Sequence, residues 1–291
     1  MKFAAIDIGS NAIRFQVSKL INKEKRKLKK VEYIRFPLRL GKDVFATGEI
    51  SRKTEEKFIR LMIAFKQFLE LYEVDDYMVC ATSAMREAHN GELIANRVYY
   101  SEGVRIQILD GYKEGEIISS SIVPFLNDGL YIHVDVGGGS TELSLIRNKK
   151  RVAVQSFRMG SVRKLDEEDK VRTFRKIKHW LEDHLATQEI IEGSIGTGGN
   201  IRKLYELSES SNKRKIIDYE ELKRVHDWVQ GYSYAERISE LSLNPDRADV
   251  IGPAAEIYLK VMEMAGAQSM FVPDVGLKDG IIELLMQKNN I

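Results

Sequence analysis

The sequence predicts an α/β protein built from two similar halves. Apolar segments typical of strands alternate with segments of helical periodicity, which is the pattern of an α/β fold with mixed sheets. Two glycine-rich turns, at residues 7–11 and 135–140, each follow an apolar strand and open with a carboxylate. Since this arrangement occurs twice, we expect two related domains that face each other across a cleft.

The elements of the first half follow in order from their periodicity. Residues 3–6 are predicted as a short strand, and residues 12–20 alternate as its hairpin partner. The basic run at 23–30 is predicted as a solvated tip before a third strand, with a docking patch for a polyanion as the alternative. Ser51 is predicted to cap a helix with apolar residues at helical spacing. The remaining elements are a strand at 75–82, a helix at 84–96, a strand at 104–109 and a helix at 114–123 ended by Pro124.

The second half repeats the beginning of the first. A strand at 129–136 leads into the second glycine turn, and strands at 143–146 and 152–156 repeat the hairpin pattern. Residues 166–285 are predicted to be rich in helix, with a third glycine-rich turn at 196–200. The predicted domain boundary near residue 118 depends on this repeat alone.

Composition narrows the classes of function. A chain of 291 residues suits two domains, and a net charge of +2 gives no case for binding nucleic-acid duplexes. Cys80 is the only cysteine, so no internal disulfide can form and a reducing compartment fits best. No stretch reaches the roughly 18 apolar residues of a membrane helix. We therefore expect a soluble, cytoplasmic protein, with a homodimer as the default oligomer.

The two acidic turns predict a metal-phosphate site. Asp7 and Asp135 each end a strand, and paired carboxylates suit Mg²⁺, which binds few protein oxygens and keeps waters for the phosphate side. The alternative is an aspartate that only bonds its own turn. Glu142 follows the second turn and is a third candidate ligand.

Glycines supply candidate phosphate-binding amides. Without side chains, Gly137, Gly138 and Gly139 let successive backbone N–H groups point at an anion, and Ser140 adds a hydroxyl. A flexible connector is the alternative for this turn. The third turn precedes a helix, so its amides predict an anion or ribose-phosphate site, unless the glycines serve geometry alone. Its candidate residues are Gly198, Gly199 and Asn200.

Polar side chains near the strand ends complete the candidate site. Ser10, Asn11 and Arg14 follow the first acid, and Arg86 follows the end of a strand, where ligands bind in open α/β sheets. Arginine suits phosphate because its planar fork stays charged. Glu114, near the predicted hinge, is the candidate general base for an attacking water, although a glutamate in a first helical turn also complements the helix dipole.

These residues resemble the exopolyphosphatase/guanosine pentaphosphate phosphatase (Ppx/GppA) family. The resemblance is carried by four ordered motifs, at 6–11, 81–90, 135–142 and 196–200, and by landmarks at 39–41, 247–249 and 276–280. It implies the fold of actin, sugar kinases and heat-shock ATPases: two ribonuclease-H-like domains with a phosphate site between them. Residues 1–118, completed by a C-terminal helix within 277–291, would form one domain, and residues 119–276 the other. The resemblance also implies Mg²⁺ as cofactor and places Glu114 at the catalytic glutamate.

The segment around Glu114 departs from the family pattern Ser-Gly-x-Glu-Glu-Ala-Arg. This chain has Asp110, Lys113, Gly115 and Glu116 where the family has Ser, Glu, Ala and Arg. Lys113 is expected to help hold Glu114 ionised, whereas the two extra acids add negative charge to a site for polyphosphate. The catalytic geometry is therefore predicted more firmly than the substrate range.

The sequence as a whole predicts a Mg²⁺-dependent phosphatase. It would hydrolyse a terminal phosphoanhydride of inorganic polyphosphate or of guanosine tetra- or pentaphosphate, with water activated by Glu114. Two alternatives stay open: a regulator that binds a nucleotide or alarmone with weak or no turnover, and an ATP-dependent small-molecule kinase of the same fold. The sequence does not choose between polyphosphate and guanosine phosphates.

Overall fold

Each half of the chain builds a mixed sheet of the same topology. The computed structural model describes residues 1–186, 189–209 and 214–291. The chain divides into unit 1, which comprises Met1–Ser121 and Gly276–Ile291, and unit 2, which comprises Ile122–Val275. The prediction of an α/β protein with two mixed-sheet halves is confirmed.

Unit 1 contains a five-stranded sheet in the order β3-β2-β1-β4-β5. Strand β1 pairs antiparallel with β2 and parallel with β4; β2 and β3 are antiparallel, and β4 and β5 parallel. The strands are β1 (Lys2–Ile8), β2 (Ile13–Asn22), β3 (Lys27–Phe36), β4 (Asp76–Ala81) and β5 (Ile106–Ile108). The helices are α1 (Leu40–Thr47), α2 (Arg52–Leu71), α3 (Ser83–Glu87), α4 (Gly91–Glu102), α5 (Gly111–Ile122) and, from the end of the chain, α12 (Leu277–Lys288).

The core of unit 1 forms where apolar faces of helices cover the sheet. Phe15 of β2 stacks on Phe65 of α2 with ring centroids 5.0 Å apart. Helix α12 packs on β1, and it comes so close to α5 that a Cβ at Gly280 would lie 2.1 Å from the carbonyl oxygen of Ile117. A glycine is therefore needed at this crossing.

Local signals account for several boundaries in unit 1. Ser51 caps α2, as predicted, by accepting a hydrogen bond from the amide of Thr54. The predicted helix at 84–96 is wrong, because the chain becomes extended at Ala88 and separates α3 from α4. Asn90 stabilises the break by exchanging two hydrogen bonds with the backbone of Ile50. The basic tip is shorter than predicted, because β3 already begins at Lys27.

Unit 2 contains a six-stranded sheet in the order β10-β11-β9-β6-β7-β8. Its strands are β6 (Leu130–Val136), β7 (Thr141–Arg147), β8 (Lys150–Phe157), β9 (Gly193–Thr197), β10 (Ile216–Asp218) and β11 (Ser269–Phe271). The helices are α6 (Glu167–His184), α7 (Gly199–Leu207), α8 (Tyr219–Gln230), α9 (Tyr234–Ser239), α10 (Pro245–Ala248) and α11 (Ile251–Ala265). A 3₁₀ turn at Val123–Phe125 precedes β6.

Read from β8 to β11, this sheet repeats the order and strand directions of unit 1. Strands β8, β7 and β6 are antiparallel neighbours, and β6, β9 and β11 are parallel. Strand β10 is an additional antiparallel edge. The core lies between one face of this sheet and the helices, with Tyr258 of α11 fully buried. In both units the hairpin turn after the first strand carries the acidic glycine motif.

No helix among the described residues has both the length and the apolar character needed to cross a membrane.

Candidate active site

The aspartates of the two acidic turns occupy the same register position in their sheets, but the residues paired with them on the next strand have opposite charges. Asp7 of β1 lies opposite Arg14 of β2, and Asp135 of β6 lies opposite Glu142 of β7. In unit 1 the aspartate therefore faces a cation, whereas in unit 2 it faces a second carboxylate. The repeat preserves the first acid and changes its neighbour.

Asp7 is buried and forms an ion pair with Arg14, whose Nη1 lies 2.6 Å from Asp7 Oδ2. The ion pair offsets part of the hydration free energy that the Asp7 carboxylate loses on burial. The structure thus places Arg14, predicted to bind phosphate, against the first predicted metal ligand.

The rest of the first turn is held by α1 and α3. The hydroxyl of Ser10 shares a 2.8 Å hydrogen bond with the hydroxyl of Ser83, and both are buried. The amide of Gly41 donates to the Ser10 carbonyl at 2.8 Å, and the amide of Arg39 donates to the Asn11 carbonyl at 3.0 Å. A Cβ at Gly41 would lie 2.9 Å from the Ser10 Cβ, so glycine permits this close approach.

Glu114 is a buried carboxylate in the first turn of α5. Its side chain is 9% exposed, and Arg86 Nη1 lies 3.4 Å from its Oε2. Arg86 also donates to the Leu109 carbonyl at 2.5 Å, which fixes the guanidinium between strand end and helix. Helix α5 begins three residues earlier than predicted, and the Asp110 carboxylate caps it by accepting from the Lys113 amide at 2.7 Å.

Lys113, which the sequence places as a cation that helps hold Glu114 ionised, forms an ion pair with Glu116 in the structure. The Lys113 ammonium lies 2.7 Å from Glu116 Oε2, in an exposed pair on the same helix. A cation that does lie beside Glu114 is Arg86, with its Nη1 3.4 Å from Glu114 Oε2. Two of the unusual residues of this segment therefore neutralise each other, and Asp110 serves as a helix cap.

Cys80 shows that Asp7 and Glu114 lie in one neighbourhood of unit 1. It pairs with Asp7 across β1 and β4. Burial, together with the nearby charges of Asp7 and Glu114, raises the pKa of the Cys80 thiol to about 12. Two carboxylates thus converge around one buried thiol, with Arg14 and Arg86 as their cations.

In unit 2 the turn after β6 is tightly held by the loop that follows β8. The Gly137 amide closes the turn by donating to the Ser140 carbonyl at 2.9 Å, so this predicted anion donor has an internal partner. The carbonyls of all three glycines accept hydrogen bonds from residues 161–163, including the Arg163 side chain on Gly139 at 2.7 Å. Within the described part of the chain, the Gly138 and Gly139 amides have no hydrogen-bond acceptor.

Gly160 allows that loop to approach the turn. A Cβ at Gly160 would lie 2.5 Å from the carbonyl carbon and oxygen of Gly138 and 2.6 Å from the Gly139 nitrogen. No side chain fits at this distance. The close approach explains how the turn is fixed without side chains of its own.

Glu142 is fully buried and accepts hydrogen bonds from two hydroxyls. Ser140 Oγ donates to Glu142 Oε1 at 2.6 Å, and Ser156 Oγ of β8 donates to the same oxygen at 2.8 Å. The Ser140 hydroxyl, predicted to bind phosphate, here positions the candidate metal ligand.

The third turn lies against the second one within unit 2. A Cβ at Gly198, where φ is +97°, would lie 3.0 Å from Asp135 Oδ1, so the N-terminus of α7 adjoins that carboxylate. Asn200 Nδ2 donates to Ser161 Oγ at 3.2 Å, and Arg247 donates to the Gly199 carbonyl. Unit 2 thus brings together Asp135, Glu142, the glycine turn and the start of α7.

Sequence reasoning missed the residues that hold these turns. Ser83, Ser156, Gly160, Ser161 and Arg163 act through partners 14 to 73 positions away, so no local motif marks them. Tyr258 is another: its buried hydroxyl donates to the Thr197 carbonyl at 2.6 Å. Burial, together with the charges of Asp135 and Glu142, raises the pKa of this phenol well above its usual value.

His133 is a packed strand residue. It is fully buried in β6, and its Nε2 lies 2.8 Å from Thr197 Oγ1. Burial lowers the pKa of His133 to about 3, so the ring stays neutral. It therefore supports the third turn as an uncharged group.

The oxygen donors present fit a hard cation. Asp7, Asp135 and Glu142 are carboxylates, the ligands that Mg²⁺ prefers. Among the described residues, no group of three or more His, Cys, Asp or Glu side chains is arranged to hold a metal.

A family model for the Ppx/GppA phosphatase family matches residues 20–289. The chain belongs to the Ppx/GppA phosphatase family. The match covers both units and all the turns described above except the first, which precedes residue 20. The resemblance carried by the four sequence motifs is therefore confirmed.

Individual relatives agree with this assignment. The guanosine-5'-triphosphate,3'-diphosphate pyrophosphatase of Aliivibrio fischeri (strain MJ11) is 23% identical over 291 residues, which cover 96% of this chain and 58% of that protein. The crystal structure of a Ppx/GppA family member from Aquifex aeolicus has a TM-score of 0.80 at 26% identity, covering 100% of this chain and 99% of that one. An exopolyphosphatase from Cytophaga hutchinsonii shares the fold, with a TM-score of 0.87 at 18% identity, covering 99% and 98%.

The chain spans less than two thirds of the length of the Aliivibrio protein, but almost all of both solved structures. The chain thus belongs to a phosphatase family. The pyrophosphatase and exopolyphosphatase activities in the names above are those of the relatives.

Proposed function

We propose that this protein is a Mg²⁺-dependent phosphatase that removes the terminal phosphate from inorganic polyphosphate or from guanosine tetra- or pentaphosphate. The observation that carries the proposal is Glu114, a buried carboxylate with Arg86 Nη1 3.4 Å away, in a chain of a phosphatase family. A buried glutamate beside a phosphate-binding cation has the two properties that water activation requires.

In the proposed reaction, Glu114 accepts a proton from a water molecule. The water oxygen forms a bond to the terminal phosphorus, the bridging P–O bond breaks, and the shortened phosphate chain leaves with the bridging oxygen. Arg86 stabilises the negative charge on the transferred group, since its planar fork matches phosphate oxygens. The leaving phosphate takes up a proton from solvent, and Glu114 releases its own before the next turnover.

Backbone amides are the proposed phosphate donors of unit 2. The Gly138 and Gly139 amides and the start of α7, at Gly198, Gly199 and Asn200, point to anion binding because they combine N–H groups with the helix dipole. In unit 1 we assign Ser10, Asn11 and Arg14 to the same substrate. For Ser140 and Gly137 the internal bonds described above favour a supporting role.

Asp7, Asp135 and Glu142 are the proposed Mg²⁺ ligands. When bound, the ion would neutralise phosphate charge and orient the substrate. Asp135 and Glu142 are opposed carboxylates in one register pair, whereas Asp7 already pairs with Arg14. We therefore expect replacement of Glu142 or Asp135 to weaken the Mg²⁺ dependence of phosphate release more than replacement of Asp7.

The proposal is tested by phosphate release with Mg²⁺ from short polyphosphate, long polyphosphate and guanosine pentaphosphate. Glu114→Gln should lower the rate with the preferred substrate by about 10²- to 10⁴-fold, the usual contribution of a general base, and leave substrate binding intact. The matched control is Glu116→Gln, an exposed residue of the same helix that pairs with Lys113.

Equal turnover in Glu114→Gln and Glu116→Gln would refute the role of Glu114. If calorimetry detects binding of guanosine pentaphosphate but no substrate releases phosphate, the protein is a binding regulator and the proposed hydrolase activity is refuted. Consumption of ATP that depends on an added acceptor would indicate a kinase. The substrate panel also ranks polyphosphate against guanosine phosphates.

A further inference from the structure

One hydroxyl group in unit 2 contacts the ends of two strands, and each strand leads into a turn assigned above to phosphate or metal binding. It belongs to Tyr258 of α11, whose side chain is fully buried. The Tyr258 hydroxyl donates to the Thr197 carbonyl at 2.6 Å and accepts a hydrogen bond from the Val136 amide at 3.3 Å. Thr197 is the last residue of β9, before the third turn, and Val136 is the last residue of β6, before the three glycines. The hydroxyl therefore bridges the starting points of both turns.

The bridge continues the connection between β6 and β9 beyond the end of their ladder. The last register pair of these parallel strands is Asp135 with Thr197, and Tyr258 links Thr197 to Val136, one residue further along β6. Burial, together with the charges of Asp135 and Glu142, raises the pKa of the phenol well above its usual value, so the hydroxyl keeps its proton. A protonated hydroxyl can donate to one carbonyl and accept from one amide at the same time. Both bonds of the bridge are thus made by a neutral group in the core.

A second buried side chain holds the same end of β9. The Thr197 hydroxyl lies 2.8 Å from His133 Nε2, while the Thr197 carbonyl accepts from Tyr258. The last residue of β9 is therefore fixed through its side chain and through its backbone. The start of the third turn has a defined position, and the Tyr258 hydroxyl ties the start of the glycine turn to it.

The separation of the two turns matters for the proposed site because Asp135 belongs to one turn and adjoins the other. A Cβ at Gly198 would lie 3.0 Å from Asp135 Oδ1, so the start of α7 lies beside this proposed Mg²⁺ ligand. The Gly138 and Gly139 amides, which we propose as phosphate donors, follow Val136 by two and three residues. A displacement of Val136 relative to Thr197 would therefore move the donors of one turn relative to the other.

We propose that Tyr258 is a positioning residue, whose hydroxyl fixes the separation between the two turns of unit 2. The proposal rests on the function proposed above for these turns. Tyr258 acts through the Val136 amide and the Thr197 carbonyl. The ring of a phenylalanine would fill the same place in the core, so the role belongs to one oxygen atom. The competing explanation is that this oxygen only satisfies two buried backbone groups and contributes stability alone.

Tyr258→Phe removes that oxygen and leaves the ring. Two buried backbone groups then lose a partner, so we expect the Tm to fall by about 2–12 °C. A displacement of about 1 Å can lower a rate about 10²-fold, and for a smaller shift of the turns we expect kcat for phosphate release to fall about tenfold at 25 °C, where the variant remains folded. The Mg²⁺ concentration at half-maximal rate should rise as well, because Asp135 moves relative to α7.

Two readouts do not depend on turnover. The first is amide hydrogen exchange, followed by NMR spectroscopy on the protein without Mg²⁺ or substrate. In the wild type the Val136 amide should exchange more slowly than the Gly138 and Gly139 amides, and Tyr258→Phe should speed its exchange at least about tenfold. The second is calorimetric binding of tripolyphosphate to the Glu114→Gln variant. Adding Tyr258→Phe to that variant should weaken binding about tenfold, equivalent to about 1.4 kcal/mol.

Two matched controls separate positioning from stability. Tyr72→Phe removes a hydroxyl that donates to Glu32 at 2.7 Å in unit 1, and it should leave kcat and the exchange of Val136 within about twofold of the wild type. Ile217→Val trims a fully buried side chain of β10 in unit 2 and lowers the Tm by a mechanism unrelated to the turns. It should leave kcat and tripolyphosphate affinity within about twofold of the wild type.

The proposal is overturned if Tyr258→Phe lowers the Tm but matches Ile217→Val in kcat, in Val136 exchange and in tripolyphosphate affinity, because the hydroxyl would then serve stability alone. Equally fast exchange of Val136, Gly138 and Gly139 in the wild type would show that the bridge does not form, and this measurement needs no variant. If the wild type releases phosphate from no substrate, the proposed function fails. Hydrogen exchange and tripolyphosphate binding still decide the role of Tyr258 in that case.

Discussion

Replacing Gly160 by alanine tests how the glycine turn of unit 2 is positioned. The added Cβ would lie 2.5 Å from the Gly138 carbonyl, whereas ordinary contacts begin at 3.4 Å, so turn and loop must separate by roughly 0.9 Å. Overpacking of this kind costs about 1–3 kcal/mol. For a unit of this size, we expect a decrease in Tm of about 2–12 °C.

The same displacement moves the Gly138 and Gly139 amides, which we propose as phosphate donors. A misplacement of about 1 Å can lower a rate about 10²-fold. We therefore expect Gly160→Ala to reduce kcat for phosphate release by about 10- to 100-fold at 25 °C, where the protein remains folded.

Gly193→Ala is the matched control for Gly160→Ala. It lies in the same unit, and its added Cβ would meet only the Ser269 carbonyl oxygen at 4.0 Å, an ordinary contact. Phosphate release and thermal unfolding are measured side by side for both variants. If Gly160→Ala matched Gly193→Ala in kcat and in Tm, the loop after β8 would not be what fixes the turn, and the reasoning would fail.

Two further predictions concern buried groups. Burial lowers the pKa of His133 to about 3 in the folded protein, whereas the ring in the unfolded chain keeps a pKa of about 6.5. As the pH falls from 6.5 towards 3, the unfolded chain therefore binds a proton that the folded protein does not bind. The folded state loses stability over this pH range. The loss has a slope of at most about 1.4 kcal/mol per pH unit, and urea unfolding at pH 7 and pH 5 should show a smaller difference in His133→Gln than in the wild type. Burial beside Asp7 and Glu114 raises the pKa of Cys80 to about 12, so iodoacetamide at pH 8 should label Cys80 in urea but not in the folded protein; rapid labelling of the folded chain would contradict the burial.

Features that depend on neighbouring residues could be predicted from the sequence. The strand, acid and glycine pattern places Asp7 and Asp135 at strand ends because all its parts lie within a few residues, and the Ser51 cap follows the same logic. The repeat of this pattern predicted two similar halves with mixed sheets, and the structure shows that both sheets share one strand order. The resemblance to a family then singled out Glu114 among many glutamates.

Features that depend on distant partners could not be predicted. The break at Ala88 depends on the amide of Asn90 and the backbone of Ile50, 40 residues earlier. Strands β9, β10 and β11 have three to five residues each, too few for a periodicity, so their segment was predicted as rich in helix with only a glycine turn to interrupt it. The contact between Arg86 and Glu114 likewise arises from tertiary packing, because the two residues are 28 positions apart in the sequence.

The residues paired with Asp7 and Asp135 have opposite charges, so the two units differ in charge although they share a topology. At one register position, unit 1 has an aspartate and an arginine whose formal charges cancel, whereas unit 2 has two carboxylates with a formal charge of −2. A chimera made of two copies of unit 1 would keep the topology and lose that excess charge. A chimera of two copies of unit 2 would double it. The two units therefore share one strand order and differ in formal charge by two at this register position.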